Sequence, residues 1–115
     1  MAIHHARPGE LIDLARWPRD VEAGKSHTLI VADGLTVARL VLEKDREIPE
    51  HRIAAPITIH CVSGKIELVT TRAQQMLTSG QLVYLPADDP HTLRAYADAV
   101  ILLTIAETRT GNPPE

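Results

Sequence analysis

Aromatic residues are scarce in this sequence, and phenylalanine is absent. The 115 residues include one tryptophan and two tyrosines, so aromatic side chains make up 3% of the chain. A hydrophobic core must therefore be built mainly from leucine, isoleucine and valine. The aromatic platforms on which proteins stack unpaired bases are missing as well, and we expect no nucleic-acid partner.

The sequence also lacks a strong excess of charge and a long hydrophobic run. Its net charge is −3 at pH 7 and its isoelectric point is near 6.0, which gives no basic surface for nucleic acid or an anionic membrane. No apolar run approaches the roughly 20 residues that cross a bilayer. The N-terminal stretch MAIHHARPGELIDLARWP has no basic segment followed by an apolar one, so it predicts no secretory signal. We therefore expect a cytoplasmic protein without a membrane partner.

Cysteine occurs once, as Cys61, which excludes an intramolecular disulfide and fits a reducing compartment. Most of the chain consists of short runs rich in valine, isoleucine, leucine and threonine. About seven such runs follow one another, separated by turn-forming pairs such as Asp33-Gly34 and Ser63-Gly64. Almost no helical periodicity is present. The pattern predicts one all-β domain, a sandwich or small barrel.

The predicted barrel covers residues 27–106. Residues 1–26 form an N-terminal arm, as either a helical turn or an extended segment, and residues 107–115 form a flexible tail. The run AVILLTI, residues 99–105, indicates a strand covered on both faces. Packing within the monomer would cover it, and so would a second subunit. We expect a homodimer, because exposed apolar faces of small domains usually find a partner, with the arm on the barrel or on that partner.

Two stretches of the chain resemble sequence motifs of the cupins. The stretch GQLVYLPADDPH resembles the second cupin motif: Gly80, Pro86 and His91 stand at the motif's glycine, proline and histidine. Asp88 stands where that motif has its middle glycine, and Ala95 where it has asparagine.

The stretch EIPEHRIAAPITIHCVSG resembles the first cupin motif. His51 and Gly64 match its first histidine and its last glycine, and Asp45 replaces its opening glycine. Ile53 replaces its second histidine, and Ile57 replaces its glutamate. The resemblance covers roughly residues 28–106. It implies a cupin double-stranded β-helix, that is, a jelly-roll barrel, with His51 and His91 at the cavity.

In a standard cupin, His51 and His91 would be two of four metal ligands. Two imidazoles are few for a divalent transition metal such as Fe, Mn, Ni or Zn, which usually takes three or four protein ligands. The two histidines either hold such an ion weakly or hydrogen-bond to each other, to water or to a bound acid. Cys61 shares a strand face with Ile57 and Ile59, so it would complete a His₂Cys set or simply be a small buried hydrophobe.

The remaining candidates surround this pair. We expect the ligand pocket to be lined by His51, Ile53, Ile57, Ile59, Cys61, Tyr84, His91 and Leu93. His60 has the opposite strand parity and is expected to face outward.

Other polar side chains have more ordinary expected roles. His4, His5 and His27 are expected at the surface or an interface, although the His4-His5 pair could fold over the barrel mouth. Arg39 and Arg52 are expected to be solvated charges, with a substrate carboxylate as the alternative partner.

Two functions remain open at this point. One is a binding module that holds a small, partly apolar molecule, with His51 and His91 fixing its polar end. The other, implied by the resemblance, is a metal-dependent dioxygenase or isomerase that uses the same two histidines. A metal-free reaction with one histidine as general base lies between them.

Overall fold

The computed structural model describes residues 5–17 and 24–107. This part of the chain contains nine β-strands and no helix, and therefore no helix long and apolar enough to cross a membrane. The strands are β1 His27–Ala32, β2 Leu35–Leu42, β3 Glu47–His51, β4 Ile57–Ser63, β5 Lys65–Thr70, β6 Gln74–Thr78, β7 Gln81–Leu85, β8 His91–Ala95 and β9 Ala99–Ile105.

The strands form two antiparallel sheets that face each other. One sheet has five strands in the order β1-β2-β9-β4-β7, and the other has four in the order β3-β8-β5-β6. Among the described strands no ladder of hydrogen bonds joins the two sheets, so the expected barrel is a two-layered sandwich that does not close. The prediction of an all-β fold is confirmed.

The core lies between the inner faces of the sheets. On the central strand β9, the inward side chain of Ile101 is fully buried, and it lies opposite Cys61 of β4. The outward Leu102 of β9 is half-buried and lies opposite His60. Aliphatic side chains from both sheets complete the core: Leu42, Ile57, Ile59, Ile66, Leu68, Leu77, Leu85, Leu93, Ala95 and Ala99.

The strands predicted from the sequence include neither edge strand of the four-stranded sheet, β3 or β6. In β3, Ile48 alone is half-buried, and in β6, Leu77 alone is buried, so neither strand has a clear apolar alternation. β3 also contains Pro49, which an edge strand tolerates because a proline donates no backbone hydrogen bond.

The described part of the N-terminal arm, residues 5–17, is extended with turns and lies on the outer face of the five-stranded sheet of its own chain. The Ala6 N–H donates to Leu29 O on β1 at 2.8 Å, and the Trp17 indole N–H donates to Lys25 O at 2.9 Å. At the other end of the domain, the Glu107 N–H bonds to Gly34 O at 3.1 Å. Residue 107 is therefore held by the sandwich, and the rest of the expected tail lies outside the described residues.

Four backbone positions with positive φ coincide with the glycine positions of the two cupin motifs. Gly64 and Gly80 have φ of 90° and 88°, and Asp45 and Asp88 have φ of 72° and 62°. Aspartate is one of the few other residues that adopt this left-handed region. The two aspartates therefore preserve the turn geometry for which the motifs use glycine.

Candidate functional site

The candidate site is a pair of histidines on neighbouring strands. Ile48 of β3 lies opposite Leu93 of β8, and in a regular ladder Glu50 would then lie opposite His91. The register shifts between Ile48 and His51, so His51 takes that place instead. A β-bulge of this kind redirects a side chain to the other face of a strand. It is the bulge that brings the two imidazoles together.

The two imidazole rings are in contact and are oriented alike by the backbone. Their centroids are 4.3 Å apart, with 58° between the ring planes. The Nδ1 atom of His91 is 2.9 Å from Asp89 O, and that of His51 is 3.3 Å from Pro49 O. Because a carbonyl only accepts, each Nδ1 carries the proton when these bonds form, and each Nε2 then presents a lone pair.

The histidines differ in their access to solvent. His91 is 3% exposed, whereas His51 is exposed, so the pair lies where the sandwich opens to solvent. Thr70 of β5 lies opposite His91 on its other side. The carboxylate of Asp89, whose side chain is 8% exposed, pairs with Arg72. This ion pair and the Asp89 carbonyl hold the segment that precedes β8 beside His91.

A resident metal does not fit these donors. Ile53 is half-buried and Ile57 is 3% exposed, so the two positions that the resemblance assigns to ligands carry apolar side chains. In residues 5–17 and 24–107 no group of three or more His, Cys, Asp or Glu side chains could hold an ion. The pair offers two imidazole nitrogens, fewer than the three or four of a stable site.

Cys61 does not join the histidine pair. Its side chain is fully buried within the core, and its Sγ lies 3.5 Å from Ser63 O and 3.7 Å from Gly64 O. Burial raises the pKa of the Cys61 thiol, which favours the neutral form. Ile59 and Leu93, also expected in the pocket, are 1% and 3% exposed and pack within the same core.

Tyr84 lies apart from the pair, since it is opposite Thr58 on the outer side of β7 and 63% exposed. It lines a groove of about 360 Å³ at the edge of the sandwich, which Thr70 links to the His91 strand. The other residues that line the groove are Arg72, Gln75, Val83, Leu85 and Pro86.

The other histidines and arginines lie elsewhere. His60 is opposite Leu82 and Leu102 on the outer face of the five-stranded sheet. His5 is exposed beside the strand β1, and His4 lies outside the described residues. Arg52 is exposed, as expected for a solvated charge.

Arg39 and His27 correct the sequence-based expectation of surface side chains. They are 1% and 7% exposed, beneath the N-terminal arm. The sequence gives no sign that the arm covers this part of the sheet, and a charged residue on a strand normally indicates a solvated face.

Known structures resemble most of the chain. No protein-family model and no curated protein matches it. A conserved protein of unknown function from Streptococcus pyogenes is 24% identical over 96% of this chain and 97% of its own, with a TM-score of 0.73. An RmlC-like cupin from Shewanella frigidimarina is 16% identical over 89% and 93%, with a TM-score of 0.71. A cupin superfamily protein from Desulfitobacterium hafniense is 13% identical over 84% and 100%, with a TM-score of 0.70.

At these identities the likeness establishes the fold alone. The chain has the fold of a small single-domain cupin, and the predicted cupin fold is confirmed. Neither the fold nor the structural relatives define an activity, because cupin-type sandwiches carry many different sites.

Proposed function

We propose that this cupin binds a small, partly apolar molecule whose polar end is a hydrogen-bond donor held by His51 and His91. The observation that carries the proposal is the orientation of the two rings. When both Nδ1 atoms donate to backbone carbonyls, the two Nε2 lone pairs are left as acceptors. A hydroxyl group or a weak acid supplies the matching proton.

The apolar surroundings support a partly apolar ligand. Ile53 and Ile57 stand where a standard cupin would have polar ligands, and small-molecule sites are typically apolar with a few polar groups that fix orientation. The interior between the sheets is filled by the core, so the molecule lies at the open end of the sandwich. The groove that begins at Thr70 offers space for its apolar body.

Matched probes with and without a donor test this proposal. Phenol is expected to shift the Nε2 resonances of His51 and His91 in ¹⁵N NMR spectra, whereas anisole, which has no O–H, is expected to leave them in place. His91→Ala should abolish the phenol response. His60→Ala is the control, because His60 lies on the outer face of the sheet and its loss should change nothing. An equal response to anisole, or a phenol response that survives in His91→Ala, would refute the proposal.

A metal-dependent dioxygenase or isomerase at the pair is the second candidate. The same ring orientation favours it, because metal-binding histidines usually donate their other ring N–H to a carbonyl or carboxylate. The small number of ligands argues against it, because the pair offers only two imidazole nitrogens. A measurement of the metal content separates the two candidates.

We also propose that the protein is a homodimer through the outer face of β4, β7 and β9. The described arm covers the β1–β2 side of this sheet and reaches Val62 and Val100 at one end of β4 and β9. The uncovered part carries Leu82 and Tyr84, which are 59% and 63% exposed. The surrounding residues carry no carboxylate, lysine or arginine: Thr58, His60, Leu102 and Thr104. A patch of leucine, tyrosine and threonine side chains without carboxylate, lysine or arginine is compatible with a second copy of itself across a two-fold axis.

A further inference from the structure

A second cavity, separate from the histidine pair, lies between the N-terminal arm and the outer face of β1 and β2. Its volume is about 230 Å³. The arm contributes Leu11, Ile12 and Trp17 to its lining, and the sheet contributes Leu29 and Arg39. The lining also includes Glu10, Asp13 and Arg16 of the arm, so the cavity combines apolar side chains with charged ones. Among the charged side chains, Arg39 is the deeply buried one.

Arg39 is 1% exposed and makes few polar contacts for a buried charge. Its Nε–H donates to Nε2 of His27 at 3.2 Å, and Nη1 donates to Leu14 O at 2.9 Å. Its Cζ lies 4.3 Å from the centre of the Trp17 ring. A guanidinium carries five N–H donors, and two of these are used on described partners. The acceptors are a carbonyl and an imidazole, and neither carries a negative charge.

The carboxylates near the cavity have other partners. The Asp13 carboxylate accepts the Ala15 N–H at 2.9 Å and pairs with Nε of Arg16 at 3.3 Å. Within the described ranges, no carboxylate lies within ion-pairing distance of Arg39. Burial lowers the pKa of Arg39, and the more distant charge of Asp13 offsets part of this effect. Among the described residues, the positive charge is thus buried without a direct counter-ion.

We propose that this cavity binds a small organic acid whose carboxylate pairs with Arg39. The planar guanidinium matches a carboxylate through two parallel hydrogen bonds, and burial strengthens such a pair. The apolar part of the acid packs against Trp17, Leu11 and Leu29. Glu10 and Asp13 also line the cavity and repel a doubly charged phosphate more strongly than a singly charged carboxylate, so the ligand we propose is a monocarboxylate.

Trp17 is the only tryptophan of the chain, so its fluorescence reports directly on the cavity. The native protein is titrated with hexanoate and with cyclohexanecarboxylate, and in parallel with hexanamide and cyclohexanecarboxamide. We expect a saturable change in fluorescence with the acids and none with the neutral amides. Arg39→Gln should weaken the binding of the acids by about ten-fold or more, the size expected for a lost charge-assisted bond.

Arg94→Gln is the matched control, because it removes the same charge from an exposed position on the other sheet. Its titration curve should coincide with that of the unmodified protein. If Arg39→Gln does not fold, NMR spectra of the unmodified protein with hexanoate replace it, and the expected shifts are at the Trp17 indole N–H and the Arg39 Nε–H. No response to either acid, an equal response to the amides, or shifts confined to His51 and His91 would each overturn the proposal and leave Arg39 as a clamp for the arm.

Discussion

At Gly64 the chain passes so close to β9 that a side chain has no space. A Cβ built there would lie 2.7 Å from Ala99 Cα and would also collide with the Asp98 carbonyl, and φ is +90°. Both obstacles are backbone, which cannot move aside without displacing β9. We expect Gly64→Ala to lower the free energy of unfolding by about 3 kcal/mol or more, measured by urea denaturation.

Gly80→Ala separates the effect of the close approach of β9 from the effect of the left-handed backbone conformation. Gly80 has a similar φ of +88°, but a Cβ there meets no atom within 4 Å. The free energy of unfolding of this variant should fall by about 1 kcal/mol, which is the strain of the left-handed backbone alone. Equal losses in the two variants would show that the close approach of β9 is unimportant.

The Cys61 thiol makes the free energy of unfolding depend on pH in the alkaline range. Its pKa is raised by burial, so above the ordinary thiol pKa of about 8.5 the unfolded chain loses the proton while the folded chain keeps it. The unfolded state then binds fewer protons, and stability falls as pH rises. Cys61→Ala should show a smaller loss of stability between pH 8 and pH 10, and the unmodified thiol should react with a thiol reagent only on unfolding. Rapid modification of the native protein would contradict this account.

At the scale of the elements, the strands that alternate strongly could be predicted from sequence, and the two polar edge strands could not. β4 carries Ile57, Ile59 and Cys61 on one face, and its alternation is evident in the sequence. β3 and β6 pair on one side only and bury little, so hydrophobicity leaves almost no trace of them.

The candidate site was predictable in part, for reasons that differ between its residues. The spacing of His51 and His91 relative to Gly64 and Gly80 indicated that they belong together, and the structure places their rings in contact. The bulge that turns His51 toward His91 leaves no recognisable signal in the sequence. Tyr84 lies on the outer side of its strand, which only the register with Thr58 reveals.

The buried Arg39 was beyond prediction for another reason. Its burial depends on where the N-terminal arm lies, and that is a tertiary contact between segments 25 residues apart in sequence. On a strand, arginine ordinarily indicates a solvated position. A local pattern therefore cannot reveal that this arginine is covered.

At the scale of the whole molecule, the dimer is tested at β7. Leu82→Glu places a charge in the centre of the proposed interface, so the sedimentation coefficient should fall from that of a dimer to that of a monomer. Met76→Glu is the control, because Met76 is 41% exposed on the other sheet and its charge should leave the dimer intact. A monomeric unmodified protein, or equal dissociation of both variants, would contradict the proposed interface.

The central claim is that His51 and His91 form a binding site without a resident metal. The most direct test is the metal content of untagged protein purified without chelator, measured by elemental analysis before and after loading with Fe²⁺, Mn²⁺, Ni²⁺ or Zn²⁺, and repeated on His51→Ala. Because two imidazoles leave an ion largely hydrated, we expect far less than one metal ion per chain and the same low content in the variant. Near-stoichiometric metal that is lost in His51→Ala would contradict the claim and favour the metal-dependent enzyme.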